Sequence, residues 1–374
     1  MKILFLAEHT DGTDGWSRVA QSLLFGMQKK GAAVLCMLRR DMPAEEKKST
    51  DALRCMPLLY APLLYTRFPW LSWWSAKRIS SLIRREAPDI IHIIAEPYML
   101  LLPFLRVPKK TRIVLTAHGT YATLLLSDPR TRSLAERAYE RIDRIIAVSE
   151  FTKARLLAVQ PALSSKITVA YNGIAVGGEM PKPVQRGPHY VPTAVFIGGV
   201  KERKGLKEAI AGIHAYQMIY KKPVRFEIIG AFDEKSPYVQ ALHRLIQEYH
   251  LEDSVRFLGH LSEEEKNARL LAADVFLMLP SSDGPYVEGF GLVYLEANAF
   301  GVPVIGPEDG APAEIIKNGI SGYTVARTAP EAVAARLHDV IDNHTLSRAS
   351  AHAWAKTFSL VRQTDAVYSV YTSV

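Results

Sequence analysis

The sequence predicts an α/β protein built from two doubly wound parallel-sheet domains. Three observations support this class: short apolar runs that alternate with longer amphipathic stretches, a segment rich in Gly and Pro near the middle of the chain, and a second alternation after it. Strands separated by helices of this size form parallel βαβ units. A length of 374 residues suits two domains of ordinary size.

The first half of the chain begins with a predicted strand at residues 3–7 and a turn at 11–15. An amphipathic helix follows at 16–30 and is closed by Gly31. The other short apolar runs of this half predict strands at 33–38, 90–94, 112–117, 144–148 and 167–170. Because helical stretches separate these runs, the strands are expected to lie parallel in one sheet.

The segment 175–192 contains seven Gly and Pro residues and is interpreted as an interdomain linker. After it, apolar runs predict strands at 193–197, 224–229, 255–258, 275–279 and 302–305. We therefore predict an N-terminal domain over 1–180, a C-terminal domain over 181–357 and a final segment, 358–374, whose helix crosses back to the first domain. Two such domains would face a central cleft at the carboxyl ends of their strands, where ligands bind.

The composition is that of a folded globular protein and argues against a membrane-spanning helix. The chain is 48% apolar, as folded globular proteins are, and no apolar run approaches the ~20 residues of a membrane-spanning helix. Cys36 and Cys55 are predicted to be inert thiols in a reducing compartment. We therefore expect a cytoplasmic protein, with peripheral attachment at the inner face of the cell membrane as a further option.

Positive charge is concentrated in the first half. Residues 1–180 hold 26 Lys and Arg against 16 Asp and Glu, whereas residues 181–374 hold 20 against 22. A basic half indicates an anionic partner such as a membrane surface, an acidic acceptor or nucleic acid. Nucleic acid is not expected, because the cations are scattered and no recognition motif accompanies them.

The segment 57–78 combines many aromatic residues with cations at its end. Pro62 and Pro69 exclude one long helix. Trp and Tyr beside Lys or Arg are typical of segments that lie among lipid headgroups. The same pattern also fits a helix and loop that cover the sheet or line an acceptor cleft, and the sequence leaves both readings open.

The most informative local pattern is a pair of carboxylates eight positions apart, Glu288 and Glu296. Glu296 interrupts an apolar helical run, and a carboxylate there requires a partner. Glu288 precedes this helix, whose first N–H groups are unpaired and attract anions. The segment therefore offers a phosphate cradle and two hydroxyl acceptors, a combination that suits a nucleotide diphosphate sugar.

A second pattern is the basic turn 198–205, which follows a predicted strand. Gly198 and Gly199 allow close approach of a backbone, and Arg203 and Lys204 can neutralise a departing diphosphate. A solvated turn is the alternative for such a segment. Its place in the same domain as Glu288 favours the anion site.

In the first half, the loop 11–15 and His118 follow predicted strands. Gly12 and Gly15 let the loop approach a phosphate or a sugar, although the dinucleotide spacing is missing. Asp14 is interpreted as the N-cap of the following helix rather than as a metal ligand. His118 fits a sugar contact and a structural histidine equally well.

Other histidines and motifs give weaker evidence for a functional site. His92 lies inside an apolar strand and is interpreted as a satisfied core residue, whereas His9 is ambiguous. The sequence contains no Cys and His cluster with zinc spacing, no P-loop and no Gly-x-Ser-x-Gly elbow.

Taken in order, these motifs resemble those of retaining glycosyltransferases of family 4, which have the GT-B fold. The resemblance spans nearly the whole chain and is strongest over 193–325. Its Glu-x7-Glu pattern is matched by Glu288 and Glu296, and its basic pair by Arg203 and Lys204. Also similar are 145–149 with Phe151 and Lys153, Asn172-Gly173, Phe257-Leu-Gly-His260 and 308–314.

The resemblance implies a role for each matched residue. Glu296 would accept hydrogen bonds from the ribose, Glu288 would contact a donor-sugar hydroxyl, and His118 would lie beside donor and acceptor. Arg203 and Lys204 would stabilise the departing diphosphate without Mg²⁺. The remaining residues expected at the donor or its diphosphate are Gly199, Phe290, Gly291, Leu292, Gly12, Gly15, Leu258 and His260. Many family members have arginine where this chain has Gly199, and Arg203 can substitute for it.

The implied reaction moves a sugar from a nucleotide diphosphate sugar, UDP favoured over GDP, to a hydroxyl of a glycan or lipid-linked acceptor with retention. No carboxylate is well placed for a covalent intermediate, so front-side attack is favoured over Glu288 as a nucleophile. No cofactor and no metal are expected. Two rival functions are a nucleotide-sugar epimerase and a non-catalytic sugar-nucleotide-binding scaffold.

Overall fold

The computed structural model describes residues 1–12, 14–41, 53–182, 184, 186–187 and 190–373. The chain divides into two compact units. The first comprises Met1–Gly173 together with Leu360–Val374, and the second comprises Ile174–Ser359. Each unit contains one parallel sheet with helices packed around it, which confirms the predicted fold class.

The first unit is built on seven strands. They are β1 (Lys2–Leu6), β2 (Ala33–Arg39), β3 (Leu53–Leu59), β4 (Ile90–Ile93), β5 (Arg112–Ala117), β6 (Arg144–Ala147) and β7 (Ile167–Val169). All adjacent strands are parallel, in the order β3-β2-β1-β4-β5-β6-β7. The sequence did not predict β3, because Pro57 interrupts its pattern. As an edge strand, β3 tolerates the missing backbone donor.

Helices cover both faces of this sheet. They are α1 (Gly15–Lys29), α2 (Pro62–Arg67), α3 (Leu71–Glu86), α4 (Thr120–Ser127), α5 (Arg132–Arg141) and α6 (Glu150–Val159), with 3-10 segments at Glu96–Phe104 and Pro161–Lys166. Successive residues of β1 enter opposite cores: Leu4 joins one cluster and Phe5 the other. Burial on both faces explains why the strands are continuous apolar runs.

The second unit is built on six strands. They are β8 (Thr193–Ile197), β9 (Arg225–Ile229), β10 (Val255–Gly259), β11 (Val275–Leu277), β12 (Val304–Pro307) and β13 (Gly322–Val325). They are parallel in the order β10-β9-β8-β11-β12-β13. The sequence did not predict β13, whose first residue is a glycine. A Cβ on Gly322 would lie 2.1 Å from the Val304 carbonyl oxygen, so the neighbouring strand requires glycine there.

Seven helices of the second unit flank its sheet in the described part of the chain. They are α7 (Leu206–Tyr220), α8 (Pro237–Glu248), α9 (Glu263–Ala272), α10 (Leu292–Ala299), α11 (Pro312–Ile315), α12 (Pro330–Ile341) and α13 (Arg348–Lys356), and a 3-10 turn spans Glu202–Lys204. Across both units, none of the helices in the described residues has the length and apolar character needed to cross a membrane.

The last helix, α14 (Leu360–Thr372), packs against α1 in the first unit. Ser22 donates to Oε1 of Gln363 at 2.9 Å. The Tyr371 hydroxyl lies 2.5 Å from Nδ1 of His92, whose Nε2 lies 2.7 Å from Oγ1 of Thr116. The predicted return of the last helix to the first domain is therefore confirmed, and so is the interpretation of His92 as a satisfied core residue.

The segment predicted as a linker makes contacts inside the second unit. Lys356 donates to the Gly178 carbonyl at 2.6 Å. Further along, Arg186 and Tyr190 both contact the carboxylate of Asp274. The predicted boundary lay at 180/181, whereas the second unit begins at residue 174.

Candidate active site

In the second unit, the carboxyl ends of the parallel strands share one edge of the sheet, and several predicted residues lie there. Gly198 and Gly199 follow β8, and the loop after β11 leads to Glu288 and α10. A Cβ on Gly230, at the end of β9, would lie 2.0 Å from the Gly198 carbonyl oxygen. The two strand exits therefore touch through their backbones, which fixes the start of the basic turn.

The basic turn and the first carboxylate meet directly. Nζ of Lys204 donates a hydrogen bond to Oε2 of Glu288, and Nη1 of Arg203 lies 3.6 Å from the same oxygen. The Glu288 side chain is 19% exposed. Burial raises the pKa of Glu288, but Lys204 and Arg203 outweigh it and hold that pKa below its ordinary value. Two motifs predicted separately thus form one charged cluster with an ionised carboxylate.

Gly205 brings the basic turn into close backbone contact with the loop that follows β11. Its φ is 71°, and a Cβ there would lie 1.7 Å from the Leu279 carbonyl oxygen. On the same loop, the Ser281 N–H donates to the Arg203 carbonyl at 2.9 Å. The positions of Arg203 and Lys204 therefore depend on a backbone contact that only glycine permits.

The start of α10 is built around Gly291. Its φ of 91° precedes Leu292, the first helical residue, and its N–H donates to the Glu288 carboxylate. Phe290 is buried, and the Tyr294 hydroxyl donates to the Met278 carbonyl at 2.6 Å. The first N–H groups of a helix have no intrahelical acceptor, so this rigid start can bind an anion.

Glu296 lies one turn into α10 and has the partner that its apolar surroundings require. Its Oε2 lies 3.9 Å from Nζ of Lys266 on α9, and Lys266 also pairs with Glu263 at 2.7 Å. The sequence could not identify Lys266, because this lysine comes from another helix and its own helix pattern looks solvent-exposed.

Leu258 and His260 lie at the end of β10, the outer strand of the sheet. Gly259 between them has a φ of 71°, and its carbonyl accepts from the Gly230 N–H at 2.8 Å. His260 is exposed. These two residues share the edge with the Glu288 cluster but lie two strands away from β8.

In the first unit, His118 follows β5 and is held in one tautomer. Its ring donates to the Ile94 carbonyl, and Nε2 is buried without a hydrogen-bond partner among the described residues. Burial lowers the pKa of His118 to about 4, so the ring is neutral near pH 7. Nε2 is then a hydrogen-bond acceptor, as a contact with a sugar hydroxyl requires.

The loop that carries Gly12 and Gly15 lies between β1 and α1. Gly12 has a φ of 78°, and its carbonyl accepts from Nε of Arg18 at 2.8 Å. Gly15 is the first residue of α1, and a Cβ there would meet no described atom within 4 Å. Asp14 caps α1 by accepting from the Ser17 N–H at 2.8 Å, which confirms its predicted role.

His9 forms an ion-pair network at this strand end. Its Nδ1 lies 2.6 Å from Asp11 and its Nε2 lies 3.3 Å from Asp14. The hydrogen bond with Asp14, followed by that with Asp11, raises the pKa of His9 to about 9 despite burial. Ligand atoms of Glu8, His9 and Asp14 lie within 4.8 Å of one another, but Arg39 already pairs with Glu8 at 2.9 Å. His9 and Arg39 therefore offset two of the three carboxylates of this cluster.

Sequence reasoning missed Glu96. This residue opens the 3-10 segment after β4 and is fully buried. Its Oε1 accepts from the backbone N–H of His118 at 2.7 Å. The pattern that could have revealed it is a carboxylate three residues beyond a buried strand, at the sheet edge where His118 also lies.

Two family descriptions match the chain in succession. "Glycosyltransferase Family 4" matches residues 13–177, and "Glycosyl transferases group 1" matches residues 183–357. The chain belongs to glycosyltransferase family 4. The predicted Glu-x7-Glu pattern and basic pair both lie within the second match, and Gly15 and His118 lie within the first.

Curated relatives match part of the chain. A GDP-mannose-dependent alpha-(1-6)-phosphatidylinositol monomannoside mannosyltransferase of Mycobacterium tuberculosis is 28% identical over 64% of the chain and 63% of that protein. An N-acetyl-alpha-D-glucosaminyl L-malate synthase of Bacillus anthracis is 29% identical over 66% of the chain and 64% of that protein. The chain thus matches somewhat less than two thirds of the length of these relatives.

Solved structures support the GT-B fold over the length of the chain. The HepE protein of Anabaena, solved in complex with UDP and glucose, matches with a TM-score of 0.77 at 18% identity and 100% coverage of both chains. At this identity the similarity concerns the fold. It agrees with the two parallel sheets described above.

Proposed function

We propose that this glycosyltransferase moves a sugar from a UDP-sugar, or alternatively a GDP-sugar, to a hydroxyl of a glycan or lipid-linked acceptor. The anomeric configuration is retained, and neither a metal ion nor a cofactor takes part. The observation that carries this proposal is the contact of Lys204 and Arg203 with Glu288 beside the start of α10. Cations, a carboxylate and the N-terminus of a helix there match the phosphates and hydroxyls of a nucleotide sugar.

The two cations support a mechanism without metal. A departing diphosphate develops negative charge, and preorganised cations in a partly dry site stabilise that charge. Lys204 is 14% exposed and Arg203 is 30% exposed, so both are partly shielded from water. When the diphosphate binds, Lys204 can contact it while Arg203 and the Gly291 N–H continue to compensate Glu288.

Front-side attack is favoured over a covalent intermediate. Glu288 is ionised, but its carboxylate is engaged by Lys204 and by the Gly291 N–H. An engaged carboxylate accepts a hydrogen bond from a sugar hydroxyl more readily than it attacks carbon. The leaving diphosphate then takes the proton of the attacking acceptor hydroxyl, and His118 supplies the neutral Nε2 that holds a hydroxyl in place.

The donor base is tested by a thermal-shift screen. UDP, GDP, ADP and dTDP are compared with wild type, Glu296→Ala and Lys204→Ala, because a ligand that binds only the folded protein raises its melting temperature. Lys207→Ala is the matched control, since Lys207 is an exposed lysine three residues from Lys204. We expect stabilisation by one nucleotide, UDP first, that Lys207→Ala keeps and the other two variants lose.

Turnover distinguishes the rival functions. Incubation of the stabilising donor without acceptor would convert its sugar if the protein were an epimerase. Binding without any turnover, across glycan and lipid-linked acceptors, would favour a scaffold. Absence of stabilisation by all four nucleotides would contradict the donor site itself.

The proposed acceptor is presented at an anionic membrane surface, at the inner face of the cell membrane. The surface that supports this is the aromatic hairpin, defined as α2, α3 and residues 68–70 between them. Trp70 and Trp74 are 62% and 61% exposed, and Leu63, Phe68 and Trp73 are also exposed. Exposed aromatic groups of this number are unusual on a water-facing surface and typical of a headgroup contact.

Charge on the aromatic hairpin complements anionic lipid. The sequence from 53 to 85 contains no Asp or Glu, while Arg67, Lys77 and Arg78 are exposed in or beside the helices. Nζ of Lys77 lies 3.8 Å from the centre of the Trp73 ring. Cations at headgroup level strengthen binding to anionic lipid and lose effect in salt.

Vesicle sedimentation tests the membrane contact. Binding is expected to phosphatidylcholine vesicles that contain phosphatidylglycerol, to weaken in salt, and to fall at least about tenfold in Trp70→Ser combined with Trp74→Ser. Met218→Ser combined with Ile219→Ser is the control, because those exposed apolar residues lie on α7. Equal binding by both double variants, or preference for an oligonucleotide competitor, would overturn this assignment.

A further inference from the structure

We infer that Glu96 is a positioning residue that holds His118 and the start of α1 in place for catalysis. This inference rests on the proposed role of His118 at the donor and acceptor. Glu96 does not itself touch substrate in this assignment. It acts through backbone and side-chain donors on two neighbouring elements.

The contacts of Glu96 connect the segments that follow three strands, β4, β5 and β1. Its Oε1 accepts from the His118 N–H at 2.7 Å, and the Gly119 N–H and the Trp16 indole also face its carboxylate. Gly119 has a φ of 120° and caps α4, so this exit is a constrained turn. One carboxylate thus holds the backbone N–H groups of His118 and of the residue that follows it.

Through Trp16, Glu96 also contacts the start of α1, next to the loop between β1 and α1. Trp16 is the second residue of α1, directly after Gly15, and its ring lies 5.5 Å from that of Tyr121 on α4. A shift of Trp16 would therefore move Gly15 and the start of α4 together. His118 and Gly15, both predicted at the substrate, are therefore both linked to Glu96.

The charge of Glu96 responds to pH in the neutral range. Burial raises its pKa, the donors from His118 and Trp16 lower it, and the result is about 7. Among the described groups, Tyr139 on α5 also interacts electrostatically with Glu96, and its hydroxyl donates to the Ala122 carbonyl at 2.7 Å. The ring of His118, whose backbone N–H donates to Glu96, is neutral. One oxygen of Glu96, Oε2, has no hydrogen-bond partner among the described residues.

Ionisation strengthens the contacts of Glu96. The carboxylate accepts charge-assisted hydrogen bonds from the N–H donors, whereas the carboxylic acid is a weaker acceptor and adds a donor of its own. The His118 turn is therefore held best above pH 7. Since a misplaced catalytic group loses rate steeply, kcat/KM is expected to rise as pH is raised through 7.

The decisive experiment follows the His118 amide by NMR. Labelling with ¹⁵N-histidine gives signals from eleven histidines, and the one lost in His118→Asn identifies residue 118. In wild type this amide should titrate with a midpoint near 7 and in Glu96→Gln it should not. Glu86→Gln is the matched control, because Glu86 is a partly buried carboxylate of the same unit that pairs with Lys2 at 2.9 Å.

Kinetics complete the test. We expect Glu96→Gln to lower kcat/KM above pH 7 by about 10- to 100-fold. The fall of kcat/KM below pH 7 should disappear in this variant. Its thermal shifts with nucleotides should equal those of wild type. A wild-type His118 amide that stays flat through pH 7, or a Glu96→Gln rate profile equal to wild type, would overturn the inference. If Glu96→Gln does not fold, the wild-type titration alone decides. Failure of wild type to transfer any sugar would instead refute the proposed function and leave the amide titration readable.

Discussion

Lys204 donates to Oε2 of Glu288 although 84 residues separate them in sequence. Each is about one fifth exposed or less, and Arg203 stands 3.6 Å from the same oxygen. The pair joins the turn after β8 to the loop before α10. A change at either residue therefore alters both the charge at the donor phosphates and the packing of two loops.

Lys204→Ala is expected to lower kcat by about 10²- to 10³-fold, because it removes a preorganised cation from the departing diphosphate. It also leaves Glu288 with a weaker partner, which costs about 1–3 kcal/mol of stability. Steady-state kinetics and urea unfolding measure the two effects. Lys207→Ala should change neither, and an equal loss of kcat in that control would show a general charge effect.

Removal of divalent metal should leave the reaction rate unchanged. Arg203 and Lys204 already provide the positive charge that a metal would supply at the diphosphate. Rates measured in excess EDTA and in excess MgCl₂ are compared. A tenfold fall in EDTA that Mg²⁺ restores would contradict the proposed mechanism.

His92, which is buried, and His118, which is partly buried, each make the first unit less stable at acid pH. His9 and Glu96 act in the opposite direction because their pKa values are raised. Burial lowers the pKa of His92 to about 3 and of His118 to about 4, whereas the ordinary value is 6.5. The unfolded chain binds these protons below pH 6.5 and the folded chain does not, so stability falls as pH drops from 6.5 toward the folded values. At pH 5 His92 and His118 each contribute a loss of about 2 kcal/mol.

Urea unfolding at pH 7 and pH 5 checks this pH dependence. His92→Gln should be less stable than wild type at pH 7 but lose less stability between the two pH values. His260→Gln, at an exposed position, should keep the wild-type difference. Equal pH differences in wild type and His92→Gln would refute the prediction, since carboxylates such as Glu288 contribute equally to both proteins.

Gly205 and Gly259 form a matched pair of glycines. Both have a φ of 71°, but a Cβ on Gly205 would lie 1.7 Å from the Leu279 carbonyl oxygen, whereas one on Gly259 meets no described atom within 4 Å. Gly259→Ala should cost about 1–2 kcal/mol from backbone strain alone. Gly205→Ala should cost about 1–3 kcal/mol more. Melting temperatures of the two variants measure the difference, and similar values would mean that the loop moves aside.

The sequence predicts the strands well because both sheets are parallel and buried, so each strand is a continuous apolar run. Every predicted strand is present within two residues of its ends. The two strands that the sequence did not predict, β3 and β13, contain Pro57 and Gly322, which weaken the apolar pattern. β3 forms because it lies at the sheet edge, where proline is tolerated. β13 forms because Gly322 allows close backbone contact with β12. Neither condition can be seen in a short stretch of sequence.

The site is predictable where chemistry is concentrated in one segment and not where it depends on contacts between segments. Glu288, Lys204 and the glycines around them stand out because charges and glycines occur at strand ends. Lys266 and Glu96 do not, because each acts through an element far away in sequence. The roles of Glu288, His118 and the other predicted site residues stay predictions until the variants above are measured.

The return of α14 to α1 has a consequence for biosynthesis. A ribosome releases the residues of the first unit before those of the second, yet Val367, Val370 and Tyr371 complete one apolar core of the first. Until translation reaches them, α1 and one face of its sheet expose that core to solvent. The second unit is continuous in sequence and can therefore finish folding earlier, so the part of the chain that is made first is the part that a chaperone must protect longest.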